Sequence, residues 1–375
     1  MKDIIRITEN PEEMREIGKK LFDANKEFYS NEKRLRSITD IIDLHMPDAS
    51  DKEKEDFLYR SIYSYWVYGN NIKEEFYFNF PEKTHAQKME YITYRNRFSY
   101  MRHLNSVENR HYLDNKWEAY ELMKKYYRRD AILIKDESDF DAFAEFVGKN
   151  PVFVVKPVGM SAGRGVHKES VEGADLKDVF EKILQERNVL GEKYHYGDFS
   201  AMMLEEIVDQ DEEMAALHPA SLQSIRLVTV RVGDKVNIWY PRIDIGRGGS
   251  FLINAAAGSI MALIDPKTGI ISGKGIPESG ELFEYHPDTG VKIEGFQIPK
   301  WDELIEMATD LMLNVMPDIR YVGWDMALSK KGWCVVEGNW AGEFVGDQLG
   351  QNRGLRKEFE DMIGWKPSYQ YWWEE

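Results

Sequence analysis

The sequence predicts an α+β protein with a helical N-terminal third, and three observations carry that prediction. Apolar residues recur at steps of three and four near the start: Met14, Ile17, Leu21, Ala24 and Phe28, then Phe57, Leu58, Ile62, Tyr65 and Trp66. From Asp114 short apolar runs alternate with helical patterns, an α/β signature. From about residue 222 the text is rich in strands and glycine turns.

The first third therefore gives amphipathic helices. The Tyr, Phe and Trp crowded into residues 59–101 read as core packing, with an acceptor-binding wall as the alternative. Trp117, Tyr120, Met123 and Tyr127 predict a helix leading to an apolar strand at residues 131–134. A strand at 152–155, a glycine-rich loop, a helix through Leu176, Val179, Phe180 and Ile183, and a strand at 201–204 follow. Residues 225–232 and 236–243 flank Gly233-Asp234-Lys235 as a hairpin. A helix after Pro299 carries Leu304, Ala308, Leu311, Met312 and Val315 and precedes a last hairpin at 321–337. These breaks divide the chain into residues 1–112, 113–206 and 207–375.

At 375 residues the chain is too long for one simple core. A formal charge of −16 argues against a nucleic-acid backbone as partner. The single cysteine, Cys334, excludes an internal disulfide and a cysteine metal cluster, and its place in a strand reads as core. No run approaches 18 apolar residues, and no apolar h-region follows the first residues, so the expected location is cytoplasmic with no membrane span. The oligomeric state is open.

The strongest chemical signal is the hairpin Gly323-Trp324-Asp325 to Glu337-Gly338-Asn339. A three-residue loop Lys330-Lys331-Gly332, with glycine last, pairs Ser329 with Trp333 and carries Asp325 opposite Glu337. The two carboxylates then face each other with Cβ atoms roughly 5 Å apart, and Asn339 shares their face. Like charges directly opposite destabilise a sheet. A hard divalent cation relieves this, and Mg²⁺ binds one or two carboxylates together with substrate phosphates.

Upstream, residues 153–157 end a strand at Lys156, and Gly159, Ser161, Gly163 and Gly165 follow. The backbone N–H groups of such a loop can approach phosphates, and Lys156 can place a point charge on them. The lysine precedes the glycines, which is not the Walker spacing. The strand at 201–204 ends in Glu205-Glu206-Ile207, able to offer backbone groups to adenine and a carboxylate to its amino group or the ribose.

In order and spacing these residues resemble the ATP-grasp superfamily, and within it the sugar-transfer-associated ATP-grasp proteins. The resemblance runs over roughly residues 55–350. It passes through Asp114-Asn115-Lys116, Val155-Lys156-Pro157, Gly159 to Gly165, Glu205-Glu206-Ile207, His218-Pro219, Ile225-Arg226, Asp265-Pro266, His286-Pro287, Gly323-Trp324-Asp325 and Glu337-Gly338-Asn339. It implies an ATP-grasp fold of two α/β subdomains clamping ATP, 113–206 with the phosphate loop and 207–375 with the metal site, behind a helical N-terminal region. It implies that Lys116 and Lys156 hold ATP phosphates, that the loop with Ser161, Gly163 and Gly165 closes over them, and that Glu205, Glu206 and Ile207 line the adenine and ribose pocket. Asp325, Glu337 and Asn339 would carry Mg²⁺, and Arg226 would meet charge on the transferred phosphoryl group. The chain departs from the family pattern at Gln223-Ser224 and at Ile253-Asn254 with the following alanines, positions that the resemblance places at the acceptor or a second metal and that bear on the substrate class more than on the ATP chemistry.

The implied reaction is ATP-dependent ligation of a small-molecule carboxylate to an amine through an acylphosphate, in surface-polysaccharide or natural-product synthesis. A kinase-like phosphotransferase and a non-catalytic nucleotide-binding scaffold are the alternatives. Arg242 and Arg247 are candidates for the acceptor carboxylate or the γ-phosphate, because arginine forks match both bidentately. His218 and His286, each before a proline, read first as turn residues and second as substrate contacts.

Overall fold

The computed structural model describes residues 3–29, 31–161, 163–194, 197–249, 258–277, 281–369 and 371–374. The chain forms two compact units, a terminal unit of residues 1–103 with 343–375 and a central unit of residues 104–342. The last 33 residues, grouped by sequence with the segment from 207, thus belong with the N-terminal helices. Local packing explains it: Trp372 stacks on Trp66 at 5.3 Å, and the Gln348 amide bonds both backbone groups of Ile92.

In the terminal unit the helix Pro11–Ala24 starts at Asn10, whose side chain accepts from the Glu12 and Glu13 amides. Ile17 and Leu21 are buried as the periodicity predicts, whereas Phe28 is exposed. The helix stops at Asn25, whose side-chain and backbone N–H groups both donate to the helix end, and this interrupts the stripe before Phe28. The helix Asp51–Tyr68 opens with a capping box between Ser50 and Glu53 and ends at Gly69 in the left-handed region. Tyr63, Trp66, Tyr68, Phe78, Phe80 and Tyr91 form the core, so these aromatics of residues 59–101 are packing.

The central unit holds two sheets. Strands β1 (Ala131–Ile134), β2 (Val152–Gly159), β3 (His167–Ser170) and β4 (Asp198–Glu206) pair in the order β1-β4-β2-β3. Strands β5 (Ser224–Val232), β6 (Lys235–Ile245), β7 (Ile260–Leu263), β8 (Ile276–Pro277), β9 (Tyr321–Ser329) and β10 (Gly332–Asn339) pair in the order β10-β9-β5-β6-β7-β8. Each of these pairings is antiparallel. Alternation of strands and helices therefore does not signal a parallel sheet here. Helices Phe140–Lys149 and Leu176–Lys193 bury Phe143, Phe146, Phe180 and Ile183 against the smaller sheet. Trp324, Trp333 and Met326 lie in the core of the larger one, which also takes Leu304 and Ala308 from the helix Trp301–Asp310.

Both central hairpins turn more tightly than the sequence predicts. Val232 faces Lys235 and Ser329 faces Gly332, leaving two-residue loops, Gly233-Asp234 and Lys330-Lys331. The Ser329 hydroxyl closes the second turn, accepting from the Lys331 amide at 3.1 Å and donating to the Gly332 carbonyl at 2.8 Å. Gly332, at φ 101°, starts the return strand rather than ending the loop.

Candidate functional site

The tighter turn alone would set Asp325 against Val336. A bulge between Val335 and Glu337 restores the predicted pairing, and Asp325 stands opposite Glu337. Asp325 also faces Arg226 on β5, and Arg226 faces Arg242 on β6. Four strands thus carry Glu337, Asp325, Arg226 and Arg242 abreast, two acids followed by two arginines.

The charges compensate one another. Arg226 forks Asp325, Nε to Oδ1 at 2.7 Å and Nη2 to Oδ2 at 3.0 Å. Burial opposes the Arg226 charge, yet Asp325 outweighs it and lifts the guanidinium above the usual arginine range. Lys116 Nζ lies 3.5 Å from Glu337 Oε1 and donates to the Met160 carbonyl. The relief assigned above to a metal ion is therefore supplied by two side chains. Asp244, two residues along β6 from Arg242, is half-buried, and desolvation raises its carboxyl above the ordinary range against the pull of Arg242 and Arg226.

The smaller sheet adds a second charged cluster. Lys156 on β2 and Glu205 on β4 are diagonal neighbours, and Nζ meets Oε1 at 2.7 Å. Arg129 contacts the same carboxylate at 3.1 and 3.2 Å and donates to the Val335 carbonyl at 2.6 Å. All three side chains are at least nine-tenths buried. Burial penalises the Glu205 charge, but Arg129 and Lys156 hold the carboxyl below the usual range. Glu205, expected beside adenine and ribose, lines the cleft and is the counter-ion of two buried cations. Glu206 points elsewhere, pairing with Lys331 at 2.7 Å.

These clusters line one cleft of about 350 Å³, which Gly163, Val166, Ile207, Val208, Leu222 and Asn339 complete. Lys116, Arg129, Lys156 and Arg226 balance Glu205, Glu206, Asp325 and Glu337, four cations against four carboxylates. Ser161 lies in an adjoining recess of about 540 Å³ with Asp114, Asp198, Glu337 and Asn339. Gly165, at φ 71°, backs onto Leu190 and Pro157 and lines neither space. Arg242 joins the charge row without lining the cleft, and Arg247 lies outside it, its guanidinium 5.8 Å from the Phe283 ring centre. Among the described residues no group of three or more His, Cys, Asp and Glu side chains could hold a metal by itself. Two carboxylates and an amide remain a hard-oxygen set that suits Mg²⁺ completed by phosphate oxygens.

His218 and His286 hold the chain on either side of Arg247. Carbonyl oxygens only accept, so His218 Nε2 donates to Gly248 at 2.9 Å and His286 Nε2 donates to Gly246 at 2.8 Å. The Nδ1 atoms accept, from the Ser221 hydroxyl at 2.8 Å and the Asp288 amide at 3.3 Å. Gln223 accepts from the Gly246 amide at 3.1 Å and donates to the His218 carbonyl at 2.7 Å. A Cβ on Gly246 would lie 2.0 Å from Ser221 Oγ, so this backbone needs glycine. Gln223 thus braces this clamp while Ser224 beside it lines the cleft, and residues 253–257 lie outside the described chain. Arg129, Asp244 and this clamp were missed by sequence reasoning, since only long-range register brings them to the site.

The family model described as "Sugar-transfer associated ATP-grasp" matches residues 95–363. The chain belongs to the sugar-transfer associated ATP-grasp family. No curated protein matches it. Among solved structures it is similar to the ATP-grasp ligase PsnB complexed with a minimal precursor, at 14% identity over 69% of this chain and 62% of that one, TM-score 0.41. D-alanyl-alanine synthetase A from Vibrio cholerae O1 biovar eltor matches at 13% over 67% and 64%, TM-score 0.42. N5-carboxyaminoimidazole synthetase from Staphylococcus aureus matches at 13% over 68% and 52%, TM-score 0.39. In each case the match spans less than two thirds of the other chain's length.

Proposed function

We propose that the central unit binds Mg·ATP in the 350 Å³ cleft and uses it to activate a substrate carboxylate for attack by an amine. The observation that supports this most is the row Glu337, Asp325, Arg226, Arg242, abreast on one sheet beside the buried Lys156. Asp325 and Glu337, with Asn339, would hold the metal ion, which when bound neutralises phosphate oxygens. With Asp325 and Glu337 holding that ion, their present partners Arg226 and Lys116 would be the cations available to the phosphates. Lys156 adds a third cation and Gly163 a close backbone approach, while Glu206, Ile207 and Val208 form the wall for adenine and ribose.

In the first step a substrate carboxylate oxygen attacks the γ-phosphorus and the bond to the bridging oxygen breaks, giving an acylphosphate and ADP, which remains bound. The amine then attacks the acyl carbon, inorganic phosphate leaves, and the amine proton goes to solvent. No protein nucleophile takes part, in keeping with the buried Cys334. Catalysis rests on positioning and on charge stabilisation by Arg226, with Arg242 behind it. Surface-polysaccharide and natural-product acids are the substrate classes to try.

The test is ADP release across a panel of acids and amines, followed by mass spectrometry of the product. Turnover that needs both an acid and an amine, with a product mass equal to their sum less water, supports ligation. A phosphorylated product formed without any amine contradicts it and favours a phosphotransferase.

A further inference from the structure

The terminal unit contains a cavity of its own, about 240 Å³. Its wall carries three cations, Arg60, Lys83 and Lys88, and three carboxylates, Glu9, Glu75 and Glu82. Two of these six are deeply buried, Lys88 and Glu75, each 4% exposed. Lysine and glutamate are almost never buried unless paired.

Glu75 is accommodated. Asn70 donates to its Oε2 at 2.5 Å, and Ser64 in turn donates to Asn70 at 2.9 Å. Lys88 is not. Among the described residues it has no hydrogen-bond or ion-pair partner, and its recorded neighbour is the face of Tyr68, 5.3 Å from Nζ. The Lys88 ammonium opens onto the cavity rather than into sealed protein, so an anionic oxygen inside the cavity can reach its three donors in place of water. Burial leads in moving both groups toward neutrality, Glu75 upward and Lys88 downward, and their mutual attraction opposes it.

A simple anion would satisfy Lys88 but would face Glu9, Glu75 and Glu82 as well. A ligand carrying both signs matches a wall with equal numbers of each. The apolar part of the wall, from Met14, Phe57 and Tyr63, can take an uncharged side chain. The volume lies below the range of drug-sized pockets and suits a small metabolite. We propose that this cavity binds a small zwitterion of the α-amino-acid type, its carboxylate on Lys88 and its ammonium toward Glu75. The site is separate from the cleft of the central unit and does not depend on the ATP reading.

The test uses the full chain without nucleotide and measures binding of the standard L-amino acids by calorimetry and thermal shift. Acetate and methylamine serve as single-charge controls. At least one amino acid should bind and raise the melting temperature by a few degrees at roughly one hundred times its Kd, while neither control does so at that concentration. Lys88→Met and Glu75→Gln should each weaken binding at least about tenfold. Met14→Trp, which fills the cavity from its apolar wall, should abolish binding and stands in should Lys88→Met fail to fold. The proposal is overturned by no amino-acid binding, by acetate binding equally well, or by binding that survives Lys88→Met or Met14→Trp.

Discussion

Replacing Glu205 with glutamine isolates the buried triad on which the cleft is built. The carboxylate takes Lys156 at 2.7 Å and Arg129 at 3.1 and 3.2 Å, and all three side chains are at least nine-tenths buried in the wall of the cleft. Gln keeps the volume, removes the charge and turns an N–H group toward two cations. Breaking a buried ion pair by removing one partner costs about 3–5 kcal/mol, because the other charge is left uncompensated. Arg129 keeps its bonds to the Val335 and Tyr127 carbonyls, which places the loss near the lower end, about 3 kcal/mol. For a unit the size of residues 104–342 that is a fall of about 6–12 °C in Tm. Calorimetry of wild type, Glu205→Gln, Lys156→Met and the double variant measures both the loss and the coupling, expected above about 1 kcal/mol. A Glu205→Gln protein within about 1 kcal/mol of wild type, with additive single losses, would refute the argument that Glu205 serves as counter-ion.

Three further outcomes follow from individual side chains. Burial raises Glu74 to about 8 against the backbone N–H groups of Tyr94 and Asn71. A raised carboxyl gives stability that is full below the unfolded pKa near 4.3 and lost as pH rises toward the folded value. The terminal unit should therefore weaken from about pH 4 to 8, and Glu74→Gln should flatten that slope in urea titrations. His286 is held below the ordinary imidazole range by burial, so its contribution is present above about pH 6.5 and lost as pH falls through the folded pKa. His286→Gln should remove that acid-side loss from the central unit's melting curve. In kinetics, Arg226→Lys keeps the charge but loses the fork on Asp325, and kcat should fall at least about a hundredfold. Arg247→Lys, outside the cleft, should leave kcat within about threefold if Arg247 does not touch the transferring group.

The site was partly legible in the sequence. Asp325 facing Glu337 could be counted out, but through a three-residue loop and a regular ladder, whereas the chain uses a two-residue loop and a bulge. The two departures cancel, and nothing in Val335-Val336-Glu337 announces the extra residue. Lys156 was visible as a cation, but at a strand end, whereas β2 runs on to Gly159 and holds it in mid-strand. Its partner was not, because Glu205 and Glu206 look alike in sequence and only the pleat decides which one turns inward. Arg129 and Asp244 depend on contacts far apart in sequence. The helical faces and aromatic core of the terminal unit followed from periodicity, except where Asn25 ends the first helix before Phe28. The antiparallel pairing of the smaller sheet could not be read from element order, since order does not carry strand direction.

The central claim is that Asp325 and Glu337 serve Mg·ATP rather than only the fold. Its most direct test is calorimetric titration of an unhydrolysable ATP analogue into wild type and Glu337→Gln, each with and without Mg²⁺. The account predicts that wild type binds more tightly with Mg²⁺, by at least about tenfold, and that Glu337→Gln keeps its fold and loses that enhancement. Equal Mg²⁺ enhancement in the two proteins, or no nucleotide binding by folded wild type, would contradict it.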